Sequence, residues 1–345
     1  MNSQHEKYIH RALELAERGR NKVLPNPKVG CVIVYEDRII AEGWHEFFGG
    51  FHAERNAIDQ CFTPSFLPKS TLYVNLEPCC HTGKTPPCTD LIIQSGIKKV
   101  VIGCIDPFDK VKGKGIKQLK AHGVEVITGI CERECWLMNS PFFTSVEKKR
   151  PWVILKWAES SNKIMALYGK QKWISNKLSQ QIAHKFRAES KVVLVGSETI
   201  RIDNPLLTVR HWEGTNPIRA IIDRNLKLKE DFHIFDHNQR TWVYNFKRNE
   251  SKSTINWIKL SEKKPLLDQM LSDMNLKQIS TLLVEGGPRL LSHFIDKNYF
   301  DEIRIFRSND RIEKGIKSPE FNAKEYDRKK IGSDTLYCFF NENVS

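Results

Sequence analysis

Short β-branched segments alternate with helix-patterned segments along the first 145 residues, and this alternation constrains the fold more than any other feature. Parallel strands joined by helices form sheets that are covered by helices on both faces. The first half is therefore predicted to be a three-layer α/β domain with a largely parallel sheet. The strand candidates are 30–34, 39–43, 71–75, 99–103 and 124–128, and the helix candidates are 5–18, 53–61, 89–94 and 115–121.

A charged stretch that ends in proline, 145–151, has the composition of a linker. The chain of 345 residues exceeds one ordinary domain, so we expect two domains, 1–147 and 148–345. The second half is also α/β in pattern, whereas the polar and weakly patterned residues 309–337 predict loops. Its strand candidates are 152–157, 192–196, 218–223, 241–245, 281–284 and 302–306, and its helix candidates are 176–188 and 289–297.

The net charge of +13 lies almost entirely in the second half. Residues 1–147 carry 18 Lys and Arg against 17 Asp and Glu, so the first half lacks the cationic field that a nucleic-acid backbone attracts. No apolar run approaches the roughly 18 residues of a membrane span, and the polar start lacks the pattern of a signal peptide. We therefore expect a cytoplasmic protein that binds neither nucleic acid nor membrane, with its nine cysteines reduced.

The densest chemistry lies in 52–54 and 77–88. His52, Cys79 and Cys88 offer an imidazole and two thiolates, a donor set suited to Zn²⁺ with a fourth position left for water. Glu54 follows His52 by two residues and could carry a proton from that water to a leaving nitrogen. This arrangement matches the H-x-E and P-C-x-x-C pattern of zinc deaminases, except that Cys88 lies nine positions after Cys79.

A structural zinc site is the alternative, because structural sites close with a fourth protein ligand. Cys80 or His81 would have to supply it, although adjacent side chains such as Cys79 and Cys80 seldom converge on one metal. The remaining cysteines of the first half are expected in the core, namely Cys31, Cys61, Cys104, Cys131 and Cys135.

In the second half, 285–288 reads Glu-Gly-Gly-Pro between a strand candidate and a helix candidate. Unencumbered N–H groups at such a junction suit a dinucleotide phosphate. The sequence has no Gly-x-Gly-x-x-Gly fingerprint, so a nicotinamide cofactor must bind in another way. The basic excess of this half suits NADPH, with its additional phosphate.

The first half resembles the deaminase half of the bifunctional riboflavin-biosynthesis deaminase/reductase family, and the resemblance extends over nearly the whole chain. It rests on 26–34, 43–45, 52–54, 77–79 and 83–88. It implies a cytidine-deaminase-like domain in which His52, Cys79 and Cys88 bind zinc and Glu54 transfers protons. The interval between the two cysteines is the one usual in that family. The residues implied near the substrate are Asn26, His45, Lys84 and Asp106.

The second half resembles the family's reductase domain, which is dihydrofolate-reductase-like. The marks are Lys156, 173–175, Arg187, 196–199, 203–210 and 285–288. The implied contacts with NADPH come from Trp173, Thr199, Asp203 and Gly287, and those with substrate from Arg187, Leu207, Arg210 and Glu285. The two arginines also suit a phosphate, which a planar guanidinium binds bidentately. The resemblance implies zinc-dependent deamination of a phosphorylated pyrimidine, then reduction of its ribosyl group, and often a homo-oligomer.

Three places depart from the family pattern. Residues 160–163 read Ser-Ser-Asn-Lys where Ser-Leu-Asp-Gly is usual, Asn204 replaces an acid, and Phe108 replaces an amide. The first two departures lie in the reductase half and raise the alternative of an active deaminase with a degenerate or redirected reductase domain, whereas Phe108 removes one expected contact with the pyrimidine. A further alternative is a tRNA deaminase with a basic accessory domain, which disagrees with the balanced charge of the first half. The last is a structural-zinc interaction protein, which would be expected to lack Glu54.

Overall fold

The computed structural model describes residues 2–82, 86–169 and 173–342, and it divides the chain into two compact units, 1–149 and 150–345. Among these described residues, no helix is both long and apolar enough to cross a bilayer.

The first unit is a mixed sheet with helices packed on both faces. Its helices are α1 (Asn2–Arg18), α2 (Ala53–Asp59), α3 (Cys88–Gln94), α4 (Lys114–Ala121) and α5 (Glu132–Glu147). Its strands are β1 (Gly30–Tyr35), β2 (Arg38–Trp44), β3 (Thr71–Leu76), β4 (Lys99–Cys104) and β5 (Glu125–Thr128), in the sheet order β2-β1-β3-β4-β5. Short 3₁₀ helices occupy Arg20–Lys22 and Pro64–Lys69.

Alternate residues of each strand supply two separate cores, because successive side chains of a strand point to opposite faces. On β1, Cys31 and Ile33 pack in the core that includes Ala53 of α2, Ile92 of α3 and Leu119 of α4. The intervening Val32 and Val34 pack in the core of α1 and α5. The predicted three-layer architecture is therefore present.

The sheet is less parallel than predicted. Strands β3, β4 and β5 run parallel, but β1 is antiparallel to both β2 and β3. A two-residue turn, Glu36 and Asp37 with φ of 45° and 60°, joins β1 to β2. Such a turn can only form a hairpin, since a parallel pair needs a long crossover.

The second unit contains a ten-stranded sheet, counted over its described residues. Its helices are α6 (Lys177–Glu189), α7 (Ser197–Asp203), α8 (Leu266–Leu276) and α9 (Pro288–Asp296), with a 3₁₀ turn at His233–Phe235. Its strands are β6 (Trp152–Glu159), β7 (Ile164–Ala166), β8 (Val192–Gly196), β9 (Ile218–Ile222), β10 (Thr241–Asn245), β11 (Glu250–Lys252), β12 (Ile255–Lys259), β13 (Thr281–Val284), β14 (Glu302–Arg307), β15 (Ile316–Lys317), β16 (Lys324–Ile331) and β17 (Asp334–Phe340).

The sheet order is β11-β12-β10-β9-β8-β13-β6-β14-β17-β16, parallel from β12 to β14, while β7 pairs with β15. Its main core packs the central strands against α8 and α9, as with Leu155, Met270 and Phe294.

The prediction of loops over 309–337 is wrong, because this region contains β15, β16 and part of β17. Strand β16 is exposed along most of its length and rich in charge, so it lacks the alternation that indicates a strand. It forms because it pairs with β17 from Lys324 to Ile331 across a turn at Gly332.

Candidate functional site

Three predicted metal ligands converge at the N-terminal ends of two helices. His52 caps α2, Cys88 is the first residue of α3, and Cys79 lies shortly after β3. His52 Nδ1 lies 3.5 Å from Cys79 Sγ and 3.3 Å from Cys88 Sγ, and the three donor atoms lie within 4.8 Å of one another. Nitrogen and sulfur ligands of tetrahedral zinc are about 3.6 Å apart when the bonds have their usual lengths. The donor set and its spacing therefore fit Zn²⁺.

Close packing of α2 against β2 places His52 and Glu54. A Cβ added at Gly43 would lie 2.4 Å from the backbone N of Ala57 and 2.5 Å from the carbonyl O of Ala53. Only glycine permits this approach, so Gly43 brings the helix directly onto the strand.

The Glu54 side chain lies buried beside the ligands. The residue is 3% exposed, and burial raises the pKa of its carboxyl group although the nearby His52 opposes the shift. A carboxyl group with a raised pKa can both accept and release a proton near neutrality. The hydrogen bond from the Cys88 thiol, with those from His52 and the Cys88 N–H, lowers the pKa of Cys79 to about 4. Cys79 is therefore suited to bind a cation as a thiolate.

Cys80 turns away from this cluster. Its thiol donates to the carbonyl O of Lys110 at 3.5 Å, and neither Cys80 nor His81 belongs to the cluster that the described residues form. The donor set of described residues thus leaves a position open, as in catalytic rather than structural zinc sites.

Asn26 and His45 form a hydrogen-bonded chain next to His52. His45 Nδ1 donates to the carbonyl O of Phe51 at 2.9 Å, so its Nε2 accepts from Asn26 Nδ2 at 3.2 Å. Burial lowers the pKa of His45, which keeps this ring neutral. The rings of His45 and His52 meet edge to face with centroids 5.6 Å apart. The structure thus brings two predicted substrate residues to the edge of the metal cluster.

Two buried amides that the sequence interpretation missed hold the Asn26 loop. Asn75 Oδ1 accepts from Gly30 N at 2.9 Å and its Nδ2 donates to Lys28 O at 3.0 Å. Asn139 Oδ1 accepts from Lys28 N at 2.8 Å. The signal for Asn75 was available, since an amide near the end of an apolar strand needs buried partners.

Glu77, also missed, ties the loop after β4 to the end of β3. Its buried carboxylate accepts four backbone N–H bonds from the segment that includes Asp106, at the distances Asp106 3.3 Å, Gly113 3.0 Å, Gly115 3.0 Å and Ile116 3.3 Å. Asp106 Oδ1 in turn accepts from Phe108 N at 2.8 Å, and burial raises the pKa of Asp106 to about 7. The predicted substrate residue Lys84 lies outside the described residues.

In the second unit, three charged side chains from separate elements meet. Arg187 of α6 donates from Nε and Nη2 to the two carboxylate oxygens of Glu285, at 2.8 and 2.7 Å, and Lys156 Nζ of β6 lies 3.9 Å from the same carboxylate. Although burial opposes the shift, Arg187 and then Lys156 lower the pKa of Glu285 to about 2. Burial lowers the pKa of Lys156. Glu285 is therefore a carboxylate held in one orientation.

The segment that follows α7 carries Arg210 and Leu207. Arg187 Nη1 donates to the carbonyl O of Thr208 at 3.2 Å, and Arg210 Nη1 donates to Thr208 Oγ1 at 2.7 Å. Leu207 is buried in the left-handed region, with φ of 54°. The structure thus brings Arg187, Arg210 and Glu285 into one region.

The proposed cofactor junction forms between β13 and α9, with a difference from expectation. Gly287 caps α9, but its N–H donates to Thr199 Oγ1 at 3.0 Å and is not unencumbered. This bond joins two of the four predicted NADPH residues. Asp203 ends α7 half-buried, and burial raises its pKa, whereas Trp173 is 68% exposed in the stretch before α6.

Two stretches that depart from the family pattern form ordered turns. Lys163 adopts a φ of 62° between β6 and β7, and its N–H donates to the carbonyl O of Ser160. Asn204 caps α7 with a φ of 41° and accepts from the N–H of His233 at 2.8 Å. Asparagine tolerates this conformation well and lysine less so.

Comparison with known proteins covers both units. Residues 2–104 match the cytidine and deoxycytidylate deaminase zinc-binding region, and residues 151–308 match the RibD C-terminal domain. The riboflavin biosynthesis protein RibD of Aquifex aeolicus is 37% identical over 96% of this chain and 97% of its own length. The chain belongs to the RibD family. RibD of Escherichia coli K12 is 32% identical over 96% of this chain and 98% of its own length.

Two solved structures superpose on this chain over nearly its full length. A diaminohydroxyphosphoribosylaminopyrimidine deaminase/5-amino-6-(5-phosphoribosylamino)uracil reductase of Thermotoga maritima superposes with a TM-score of 0.88 at 38% identity, covering 99% of each chain. Acinetobacter baumannii RibD gives 0.87 at 30% identity, again over 99% of each chain. The predicted deaminase-like and reductase-like folds are confirmed. The chain is a bifunctional deaminase/reductase of riboflavin biosynthesis, and its cofactors are Zn²⁺ and NADPH.

Proposed function

We propose that the first unit hydrolyses the exocyclic amine of 2,5-diamino-6-ribosylamino-4(3H)-pyrimidinone 5′-phosphate and that the second unit reduces the ribosyl group of the product to ribityl. The observation that carries this proposal is the convergence of His52, Cys79 and Cys88 with a buried Glu54 beside them. The names of the Thermotoga maritima relative, a deaminase and a reductase of phosphoribosylated pyrimidines, support the substrate class.

In the first unit, His52, Cys79 and Cys88 would hold the metal and Glu54 would transfer protons. Zn²⁺, when bound, supplies Lewis-acid activation that makes water a nucleophile at neutral pH. Glu54 takes a proton from the attacking water and delivers it to the amino nitrogen. The water oxygen bonds to the ring carbon, the carbon–nitrogen bond breaks, and ammonia leaves.

The remaining residues of this site would orient the pyrimidine. Asn26 uses its Nδ2 on His45, so its Oδ1 is available to accept from a ring N–H. His45 stays neutral and fixes that orientation through Phe51. We assign Asp106 and Lys84 to the substrate as well, with Lys84 directed to the phosphate.

In the second unit, NADPH supplies hydride to C1 of the sugar when it is bound. Reduction at C1 would open the sugar ring, so the ring oxygen must gain a proton. Glu285 is ionised and cannot donate one, whereas Lys156 lies beside it with a pKa lowered by burial. We therefore assign proton donation to Lys156 and substrate orientation to Glu285.

The other predicted residues divide between cofactor and substrate. We assign Trp173, Thr199, Asp203 and Gly287 to NADPH and Leu207 to the substrate. Arg187 already binds Glu285 and Thr208, so we assign the substrate phosphate first to Arg210 and second to the remaining N–H groups of Arg187.

The partner in this proposal is a small phosphorylated pyrimidine. The balanced charge of residues 1–147 supports the absence of a nucleic-acid partner. A cytoplasmic location and a homo-oligomer stay predictions. The hydrogen-bonded turns at Lys163 and Asn204 support an intact reductase fold over the degenerate alternative.

The test follows ammonia release and NADPH oxidation together, with the diaminopyrimidine ribosyl phosphate as substrate. Wild type should release ammonia and then oxidise NADPH. Glu54→Gln should do neither until the deaminated intermediate is added, which should restore NADPH oxidation alone. Glu125→Gln, which changes an exposed surface carboxylate, is the matched control and should behave as wild type.

Two outcomes would contradict parts of this proposal. Ammonia without NADPH oxidation would leave the deaminase and support a degenerate or redirected second unit. No ammonia from zinc-loaded wild type would overturn the proposed deamination.

A further inference from the structure

We propose that His184 is a positioning residue of the reductase site, which holds Arg210 in place for the substrate phosphate. The inference rests on the proposed reductase function and names the group that orders its anion contact. His184 lies on α6, one turn before Arg187, and is 6% exposed. Its Nδ1 accepts a hydrogen bond from the backbone N–H of Arg210 at 3.1 Å.

Two side chains of α6 hold the segment 208–210 at separate points of its main chain. Arg187 Nη1 donates to the carbonyl O of Thr208, and His184 accepts from the N–H of Arg210. Residues three apart on a helix lie on the same face, so both contacts come from one surface of α6. The segment is therefore fixed at two positions two residues apart.

The side chain of Arg210 follows this backbone. Its Nη1 donates to Thr208 Oγ1 at 2.7 Å, so the guanidinium is anchored to the segment that carries it. Loss of the hydrogen bond to His184 would release the backbone N–H of Arg210. The segment 208–210 could then shift, and the Arg210 guanidinium would shift with it because its partner Thr208 lies in the same segment. The expected consequence is weaker binding of the phosphate rather than slower hydride transfer.

The surroundings keep His184 an acceptor. Because Nδ1 accepts from Arg210, the ring carries its hydrogen on Nε2. Burial, together with Arg187 and Arg210, lowers the pKa of His184 to about 4, which preserves the lone pair on Nδ1 at neutral pH. The ring of His211 packs edge-on against it, with centroids 4.8 Å apart.

Two amide substitutions distinguish the role of Nδ1 of His184 from that of Nε2. In His184→Asn, the side-chain oxygen can take the place of Nδ1 and accept from Arg210. In His184→Gln, the amide reaches the place of Nε2 and leaves the Arg210 N–H without its acceptor. The assay measures KM and kcat for NADPH-dependent reduction of 5-amino-6-(5-phosphoribosylamino)uracil and of its dephosphorylated form, using the full chain.

We expect His184→Gln to raise KM for the phosphorylated substrate about fivefold to tenfold, the change that one lost hydrogen bond produces. The kcat should stay within about twofold, and KM for the dephosphorylated substrate should not change. His184→Asn should keep a KM close to that of wild type. Unchanged KM for NADPH and unchanged ammonia release show that both units of each variant are folded.

Three results would overturn the inference. Equal KM values for Asn and Gln variants would show that the acceptor at Nδ1 is not what matters. A defect in the Asn variant alone would assign the role to Nε2–H. Failure of wild type to oxidise NADPH with the phosphorylated substrate would instead remove the proposed reductase function, and this inference with it.

Discussion

Replacement of Glu77 by glutamine should destabilise the first unit strongly. The carboxylate accepts four backbone N–H bonds, two on each oxygen, from a segment 29 to 39 residues away in sequence. Glutamine keeps one oxygen and turns an NH₂ group toward the other two donors. Each hydrogen bond to a charged group contributes about 1.5 kcal/mol or more, so the loss of two costs about 3 kcal/mol.

The effect can be measured by urea titration of the zinc-loaded full chain, with zinc release to a chromophoric chelator as the signal for the first unit. With an m-value of about 2 kcal/mol per molar, the midpoint of Glu77→Gln should fall by about 1.5 M. Glu125→Gln is the matched control, because Glu125 is 61% exposed and its pair with Lys99 is worth less than about 1 kcal/mol. NADPH oxidation with the deaminated substrate serves as an internal control for the second unit.

A midpoint for Glu77→Gln that matches the control would refute the reasoning. It would mean that the four N–H groups find water or other acceptors at no cost, and that the loop carrying Asp106 is ordered by something other than Glu77.

Three further predictions concern the second unit. Lys163→Gly should stabilise the second unit by about 0.5 kcal/mol, because Lys163 has a φ of 62° and glycine adopts that conformation more easily. The control Lys263→Gly changes a turn residue without positive φ and should not stabilise the unit. Equal urea midpoints for the two variants would contradict the prediction. Lys156→Met should abolish NADPH oxidation and leave ammonia release intact, so a variant that still reduces the deaminated substrate would exclude Lys156 as proton donor. His184 has an ordinary pKa of 6.5 in the unfolded chain and a pKa of about 4 in the folded chain, so below pH 6.5 the unfolded chain binds a proton that the folded chain does not. The free energy of unfolding should therefore be highest above pH 6.5 and should fall by at most about 3 kcal/mol as the pH drops from 6.5 to 4. His184→Leu should flatten that slope, and an unchanged pH dependence of its urea midpoint would count against the assignment.

The metal cluster could be predicted because all its ligands lie in two short segments of the sequence, 52–54 and 77–88. His52 and Glu54 lie two positions apart at a helix start, and Cys88 begins a helix of its own. Local spacing of this kind survives any error in the surrounding elements. The strands of the first half could also be predicted from the sequence, because each has a dense apolar pattern bounded by turn residues.

Contacts between distant parts of the chain could not be predicted in the same way. Glu77 and Asn75 act on backbone groups of other segments, and nothing in their own neighbourhood shows where those groups lie. His184 meets the N–H of Arg210 only because α6 packs beside the segment after α7. Strand β16 likewise depends on its partner β17, since its own residues are mostly charged and exposed.

The isotopic composition of the final product tests the central claim most directly. The holoenzyme would convert the diaminopyrimidine ribosyl phosphate in water enriched in the heavy oxygen isotope, with NADPH deuterated at the reactive nicotinamide carbon. The account predicts one heavy oxygen on the pyrimidine ring, from hydrolytic deamination, and one deuterium on the ribityl chain, from hydride transfer. A product in which neither ring oxygen is labelled, or one without deuterium at the sugar carbon, would contradict it.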